Sequence, residues 1–347
     1  MKVALISQDV DRVWRRHTEL YGGDCHHIQE ISRILTQHGI SVSTWNSVKS
    51  YLDGRQERNT EDEIVFSLIE NCFERNCPAL IPSLWEMLGI PYVGNDAYAF
   101  TVTSDKMLFQ DICHGIGLKC PCSFEISAST TAEEIQKNVA ERHLAYPFVL
   151  KYRYGTMSYG LSIAQNFSML LSEVERLLSA ESESSVLCQE YIPGMEATVP
   201  IVGTDQSAHA LALIQYTEPD QKPLYLYDTK WKFELDDLVE LVPFPNEDPF
   251  TKNILQDCLK LHRHLGLRDM SRIDLRITAS GDVYFLEANC IPGLGYHGAF
   301  DPRSYGESQS FDDIILEIVR SAWLRAERRG TDACPQHDPR ASYIGGN

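Results

Sequence analysis

The sequence predicts an α/β protein, with a parallel-sheet lobe at the N-terminus and α+β lobes after it. Two observations carry this expectation. Over residues 1–95 strand-like and helix-like runs alternate, the pattern of a parallel sheet with helical crossovers. From about Tyr146 the chain becomes mostly strands, interrupted by two helices.

In chain order, the opening MKVALIS is β-rich, and HIQEISRILTQHG carries apolar residues at helical spacing up to Gly39, a residue suited to a helix C-cap. ISVSTW, EIVFSLIE, a helical LIPSLWEMLG and IPYVG follow. A helix is expected around Ser104 to His114, then a linker at Pro121. YPFVLKYRYG, GLSIAQ, SVLCQEYI, EATVPIVG and SAHALALIQY read as strands, and LLSEVERLLSA and TKNILQDCLKLHRHLGL as helices. The tail after about Arg328 is rich in Gly, Pro, Asp and Arg and is expected to be loose. No internal repeat or low-complexity block is present. The expected division is 1–95, 96–190, 191–328 and a tail over 329–347.

At 347 residues the chain has room for two or three lobes. Its formal net charge of −18 argues against nucleic acid or a polybasic membrane surface, since both demand clustered positive charge. No run approaches the roughly 18 apolar residues that span a bilayer, so the expected location is cytoplasmic. The ten cysteines are scattered without zinc or C-x-x-C spacing and are expected to be reduced. The glycines of YGGDCHH fit the dinucleotide fingerprint poorly, which argues against a nicotinamide cofactor.

The chemistry concentrates in SRIDLRITASGDVYFLEANCIPG. Strand alternation puts Arg272 and Asp274 on one face of the first run, and Glu287 and Asn289 on one face of the second. A two-residue loop at Ser280-Gly281 would pair Asp274 with Glu287 and Arg272 with Asn289. Two carboxylates and an amide so close together repel unless a cation sits among them, and hard oxygen ligands suit Mg²⁺. The plainer alternative is an Arg–Asp–Glu network on a half-exposed hairpin. Lys106 begins a helix, and Lys151 precedes the glycine-punctuated loop RYGTMSYG, which could bend over phosphates or simply serve a turn. VLCQEYIPGME reads as strand, turn and strand. Its turn could read an adenine and Glu196 a ribose, or it could be an ordinary hairpin. Lys230 and Lys232 flank Trp231 in a run that is either a phosphate cover or a solvated edge.

Taken in order, SLWEMLGIPYVG, the DK of SDKMLFQ, VLK before its glycine loop, EYIPGMEATV, RIDLR and LEANCIPGLG resemble the ATP-grasp superfamily and, within it, the D-alanine–D-alanine ligase family. The resemblance runs from about Ala79 to Gly298 and implies two ATP-grasp lobes with the nucleotide between their sheets. It implies that Lys106, Lys151 and Ser158 contact ATP phosphates, that Gln189, Glu190, Tyr191 and Ile192 frame the adenine, and that Glu196 holds the ribose. By the same resemblance Lys230 closes on the phosphates, while Asp274, Glu287 and Asn289 bind two Mg²⁺ ions, with Mn²⁺ as an alternative. Arg272 would stabilise an oxyanion. The implied reaction activates a carboxylate as an acyl phosphate, which an amine attacks to give an amide, ADP and phosphate. A homodimer is implied as well.

Four positions that shape the D-alanine site in the family depart from its pattern: a glutamate falls near His27, a serine at Met157, a tyrosine at Trp231 and a serine at Gly298. Together with Gly293, Met157, Trp231 and Gly298 are the candidate substrate positions. Lost polar partners in a buried site cost about 1–3 kcal/mol each, so the expected substrates are a carboxylate and an amine other than two D-alanines, in a specialised natural-product pathway. The alternatives are a D-alanine–D-alanine ligase of cell-wall synthesis and, from another class, a non-catalytic nucleotide-binding regulator.

Overall fold

The computed structural model describes residues 1–7, 24–69, 78–156, 160–180, 185–217, 240–295 and 298–331. Strand β1 (Lys2–Ile6) is almost wholly apolar because helices cover both of its faces. Val3 and Leu5 pack under α1 (Asp24–Gln37), whose Ile28, Ile31, Ile34 and Leu35 form its inner stripe. Beyond it Gly39 takes a left-handed φ of +77° while the Ile40 N–H returns to the Leu35 carbonyl at 3.0 Å, the C-terminal stop that its glycine predicts. Strand β2 (Ser41–Trp45), helix α2 (Val48–Arg55) and strand β3 (Glu63–Ser67) complete a parallel sheet in the order β2-β1-β3. Helix α3 (Leu80–Met87) sets Trp85 into its second face, and the expected strand IPYVG is reduced to a parallel bridge between Val65 and Tyr92.

The helix expected from Ser104 to His114 forms, and a further helix precedes it. Helix α4 (Ala97–Ser104) ends at Asp105, whose extended backbone breaks the helix and whose carboxylate caps α5 (Lys106–Gly115) through the Met107 and Leu108 N–H groups at 3.0 and 3.3 Å. A four-stranded antiparallel sheet follows, ordered β4-β7-β5-β6. Its members are β4 (Ser123–Ile126), β5 (Phe148–Tyr152), β6 (Ser162–Ala164) and β7 (Val186–Glu190), with helices α6 (Ala132–Glu141) and α7 (Phe167–Ala180) between them in sequence. Ile135, Leu170, Val174 and Leu177 pack on one face of this sheet, leaving Val149, Lys151, Leu187 and Gln189 on the other.

The third sheet runs β11-β10-β8-β12-β13, with β9 beside β8. Strand β8 (Met195–Val202) does not return along β7 as a hairpin would; the turn at Pro193-Gly194 crosses from one sheet to the next. The expected strand SAHALALIQY is split into β9 (His209–Ala210) and β10 (Ile214–Thr217). Strand β11 (Glu240–Pro243), helix α8 (Pro249–His264) and strands β12 (Met270–Ile277) and β13 (Val283–Asn289) follow. Ala197, Val199, Ile201, Ile273, Leu275, Ile277, Phe285 and Ala288 fill the core beneath this sheet with α5 and α8.

A final helix, α9 (Phe311–Thr331), runs past Arg328, and its Ile314, Ile318 and Val319 enter the core of the first sheet beside α1. Asp269 ties these parts together. Its buried carboxylate accepts from Gly94 N at 2.8 Å, Thr204 Oγ1 at 3.0 Å, Ser321 Oγ at 2.9 Å and Arg325 Nη2 at 2.5 Å. A buried charge is tolerable when it is so fully paired. Cys113, Cys120, Cys122, Cys188, Cys258 and Cys290 are free thiols, and no helix among the described residues is long and apolar enough to cross a membrane.

Candidate active site

The polar face of the third sheet is built by the β12–β13 hairpin. Arg272 pairs with Asn289 and Asp274 with Glu287, the pairs expected from a two-residue loop. The loop differs from the expected two-residue turn, because Thr278 N donates to Asp282 O at 2.9 Å and Gly281 takes a left-handed φ of +84°. That three-residue loop alone would shift every pair by one. A β-bulge at Leu286, between the Leu275–Phe285 and Asp274–Glu287 pairs, restores the register. It also lets Phe285 and Ala288 both face the core while Glu287 and Asn289 face away from it.

Asp274 is the centre of this face. It accepts from Arg272 Nε at 2.8 Å and Nη2 at 2.9 Å, from Thr198 Oγ1 at 2.7 Å and from Asn289 Nδ2 at 2.8 Å. Burial lowers the pKa of Arg272, but Asp274, Tyr216 and Glu287 more than offset it, so the net shift is upward and the guanidinium stays charged. Asn95, buried just before α4, clamps the site end of both strands by donating to the Met270 and Cys290 carbonyls, each at 2.9 Å.

Lys106, from the start of α5, and Lys151, from the four-stranded sheet, meet this face. The capped start of α5 projects Lys106 so that Nζ donates to the Gly155 carbonyl and lies 3.9 Å from Glu287 Oε2. Asp105 takes the Arg153 fork at 2.7 and 2.6 Å, tying the root of the glycine loop to that helix end. Burial pulls the Lys106 ammonium below its ordinary value, with Glu287 and Asp105 opposing. Lys151 is pushed down to about 8, first by burial and then by Lys106, against the pull of Glu287 and Glu196. Two lysines that repel each other and lean on carboxylates form a site prepared for a polyanion.

Around the β7–β8 turn, Gln189 is buried and its Nε2 lacks a hydrogen-bond partner. The Glu190 side chain accepts from Cys122 N at 3.0 Å, Tyr191 N donates to Pro147 O at 3.3 Å, and Ile192 is buried. Glu196 Oε1 accepts from Arg276 Nη1 at 3.0 Å. Arg276 was not among the expected site residues, although RIDLR places it at the same two-residue spacing as Arg272 and Asp274. In the last loop, Gly298 N donates to Gly295 O at 3.3 Å, nothing would crowd a Cβ on Gly293, and a Cβ on Gly295 would lie 2.9 Å from His27 Nε2. Met157, Ser158, Lys230 and Trp231 lie outside the described residues.

Among the described residues no group of three or more His, Cys, Asp or Glu side chains could hold a metal. The donor set here is different in kind: two carboxylates plus Asn289, which has its amide nitrogen on Asp274 and so keeps its oxygen for a cation. It fits a Mg²⁺ ion that completes its shell with water and phosphate oxygens, and the unpartnered Gln189 donor fits a ligand rich in acceptors.

Residues 115–320, more than half of the chain, match the family model described as D-ala D-ala ligase C-terminus. The chain belongs to that family. It is an ATP-dependent carboxylate–amine ligase of the D-alanine–D-alanine ligase type, with the ATP-grasp fold. The D-alanine–D-alanine ligase of Herminiimonas arsenicoxydans is 28% identical over 239 residues, spanning 68% of this chain and 69% of that one. The corresponding ligase of Albidiferax ferrireducens is 29% identical over 249 residues, 72% and 69% of the two chains. In fold, the family members of known structure include the Bacillus anthracis ligase complexed with ATP, at TM-score 0.71 and 18% identity over 95% of this chain and 100% of that one. The Coxiella burnetii ligase superposes at TM-score 0.73 and 13% identity over 95% and 98%.

Proposed function

We propose that this chain is a D-alanine–D-alanine ligase, joining the carboxyl group of one D-alanine to the amino group of another at the expense of ATP. The observation that carries this reading is the gathering of Arg272, Asp274, Glu287 and Asn289 opposite Lys106 and Lys151, in a chain whose relatives described above bear that name. The departures at His27, Met157, Trp231 and Gly298 favour other substrates, and the relatives weigh against them.

Asp274, Glu287 and Asn289 would hold Mg²⁺, which supplies neutralisation of phosphate charge and template geometry when bound. Lys106 and Lys151 donate to phosphate oxygens, and Gln189, Glu190, Tyr191 and Ile192 border the adenine with Glu196 at the ribose. The first carboxylate takes the γ-phosphoryl group, leaving ADP, and the second amine then attacks the acyl carbon and expels phosphate. Arg272, held through Nε and Nη2 on Asp274, keeps a fixed cation where the carbonyl oxygen becomes negative. Ser158 and Lys230 complete the phosphate contacts in this reading.

The test is ADP release with D-alanine alone, beside D-serine, L-alanine and glycine. D-Alanine alone is expected to release ADP and yield one dipeptide per ADP. Release only with a different carboxylate and amine would replace this reading with the altered-substrate one.

A further inference from the structure

Arg276 is the one charged residue on the site face of β12 that the ligation chemistry does not use. Arg272, Asp274 and Arg276 are two residues apart along the strand, about 7 Å per step, so Arg276 stands at the opposite end of the face from Arg272. It is 8% exposed, and burying a guanidinium is costly unless its donors are taken up. Nη1 donates to Glu196 Oε1 at 3.0 Å, Nη2 donates to the Gly194 carbonyl at 2.9 Å, and Cζ lies 5.3 Å from the centre of the Tyr191 ring. Its Nε is buried without a partner. One side chain therefore touches the carboxylate at the start of β8 and both ends of the turn that crosses between the sheets. Gly194 brings this turn into direct contact with β12, since a Cβ there would lie 2.2 Å from the Ile277 carbonyl oxygen.

A guanidinium used only to fasten two strands would leave the neighbouring acid with no further duty. Here the acid sits on the same face as Asp274, within electrostatic reach of Lys151, and the arginine sets where its oxygens point. We propose that Arg276 is a positioning residue for the nucleoside end of the cleft, holding Glu196 and the Tyr191–Gly194 turn in the arrangement that recognises ribose hydroxyls. It then governs nucleotide affinity and the choice of ribose over deoxyribose, and leaves the chemical step to Arg272. This rests on the nucleotide reading given above.

The experiment is calorimetric titration of the full chain, without amino acids, with Mg-ADP and with its 2′,3′-dideoxy analogue. It compares the wild type with Arg276→Met, Arg276→Lys, Glu196→Gln and the Glu196→Gln/Arg276→Met double variant. Hydrogen bonds to a charged group predict that the wild type prefers ADP by about tenfold or more. Arg276→Met is expected to lose about tenfold in ADP affinity, to bind the dideoxy analogue nearly as the wild type does, and so to lose the preference. Arg276→Lys, which keeps charge and most of the volume, is expected to fall between them. The double variant is expected to bind ADP no more weakly than Glu196→Gln alone, as coupled residues do. Preference kept in both arginine variants, additive losses in the double variant, or equal weakening of both nucleotides overturns the proposal. A wild type that binds ADP without any ribose preference overturns it as well, with the nucleotide site left standing. A wild type that binds no adenine nucleotide overturns the nucleotide reading and this proposal together.

Discussion

Arg272 combines two properties that are difficult to hold at once: it is largely buried, and it stays charged because Asp274 accepts from its Nε and Nη2. A cation fixed in this way acts most where charge develops in the transition state. Arg272→Met is therefore expected to lower kcat by about 10²- to 10³-fold while leaving the affinity for Mg-ADP nearly unchanged; parallel loss of both would contradict the role. Lys151 supplies a pH signature. Burial puts its pKa at about 8, below the ordinary 10.5, so in the free protein the unfolded chain binds more protons between these values, and this residue's contribution to stability rises with pH over that interval. Phosphates arriving beside it favour the protonated form. Nucleotide binding is then expected to take up a proton near pH 8 and to weaken as pH rises further, read as a buffer-dependent binding enthalpy. An affinity flat from pH 7 to 9.5 would remove Lys151 from the phosphate site. At this scale the sequence was legible where contacts are local. The two-residue repeat exposes Arg272, Asp274, Glu287 and Asn289, and it pointed equally to Arg276. The Arg153–Asp105 fork and the Asn95 clamp join residues 48 and 175 or more positions apart, and nothing in the spacing announces them.

The β-hairpin shows how an element can come out right for the wrong reason. A two-residue loop predicts the pairing found at Asp274 and Glu287, yet the molecule reaches it with a three-residue loop and a bulge that cancels the shift. Bulges leave little trace in a hydrophobic pattern, although Phe285 and Ala288, an odd and an even position both in the core, record this one. Helix α5 is the helix expected from Ser104 to His114, whereas α4, set off from it by the single extended residue Asp105, was not expected because AYAFTVTS carries no one-sided apolar stripe. The β7–β8 turn reads like a hairpin, but its strands belong to different sheets, a distinction that only long-range pairing decides. That crossing depends on Gly194. Its φ of +155° and the 2.2 Å approach to the Ile277 carbonyl leave no space for a methyl group. Gly194→Ala is expected to cost about 2–3 kcal/mol and lower the thermal midpoint by several degrees; a variant of unchanged midpoint would show that the turn has room to move.

At the scale of the whole molecule, the alternation of the first 95 residues and the strand-rich remainder specified the fold class, and the ordered motifs identified the family. What the chain order concealed is closure. Helix α9 returns to the first core beside α1, and Asp269 joins three parts of the chain that are far apart in sequence. The same assembly brings the polar face of one sheet against Lys151 of another and Lys106 at the start of α5, and the chemistry follows from that meeting. In the proposed reaction a D-alanine carboxylate is phosphorylated there before the amide forms. The direct measurement is the fate of label from D-alanine carrying ¹⁸O in its carboxylate, followed in the inorganic phosphate released during turnover with ATP. The account predicts one ¹⁸O per phosphate, because the carboxylate oxygen that accepts the phosphoryl group leaves with it. Phosphate free of label, with dipeptide still formed, would contradict it.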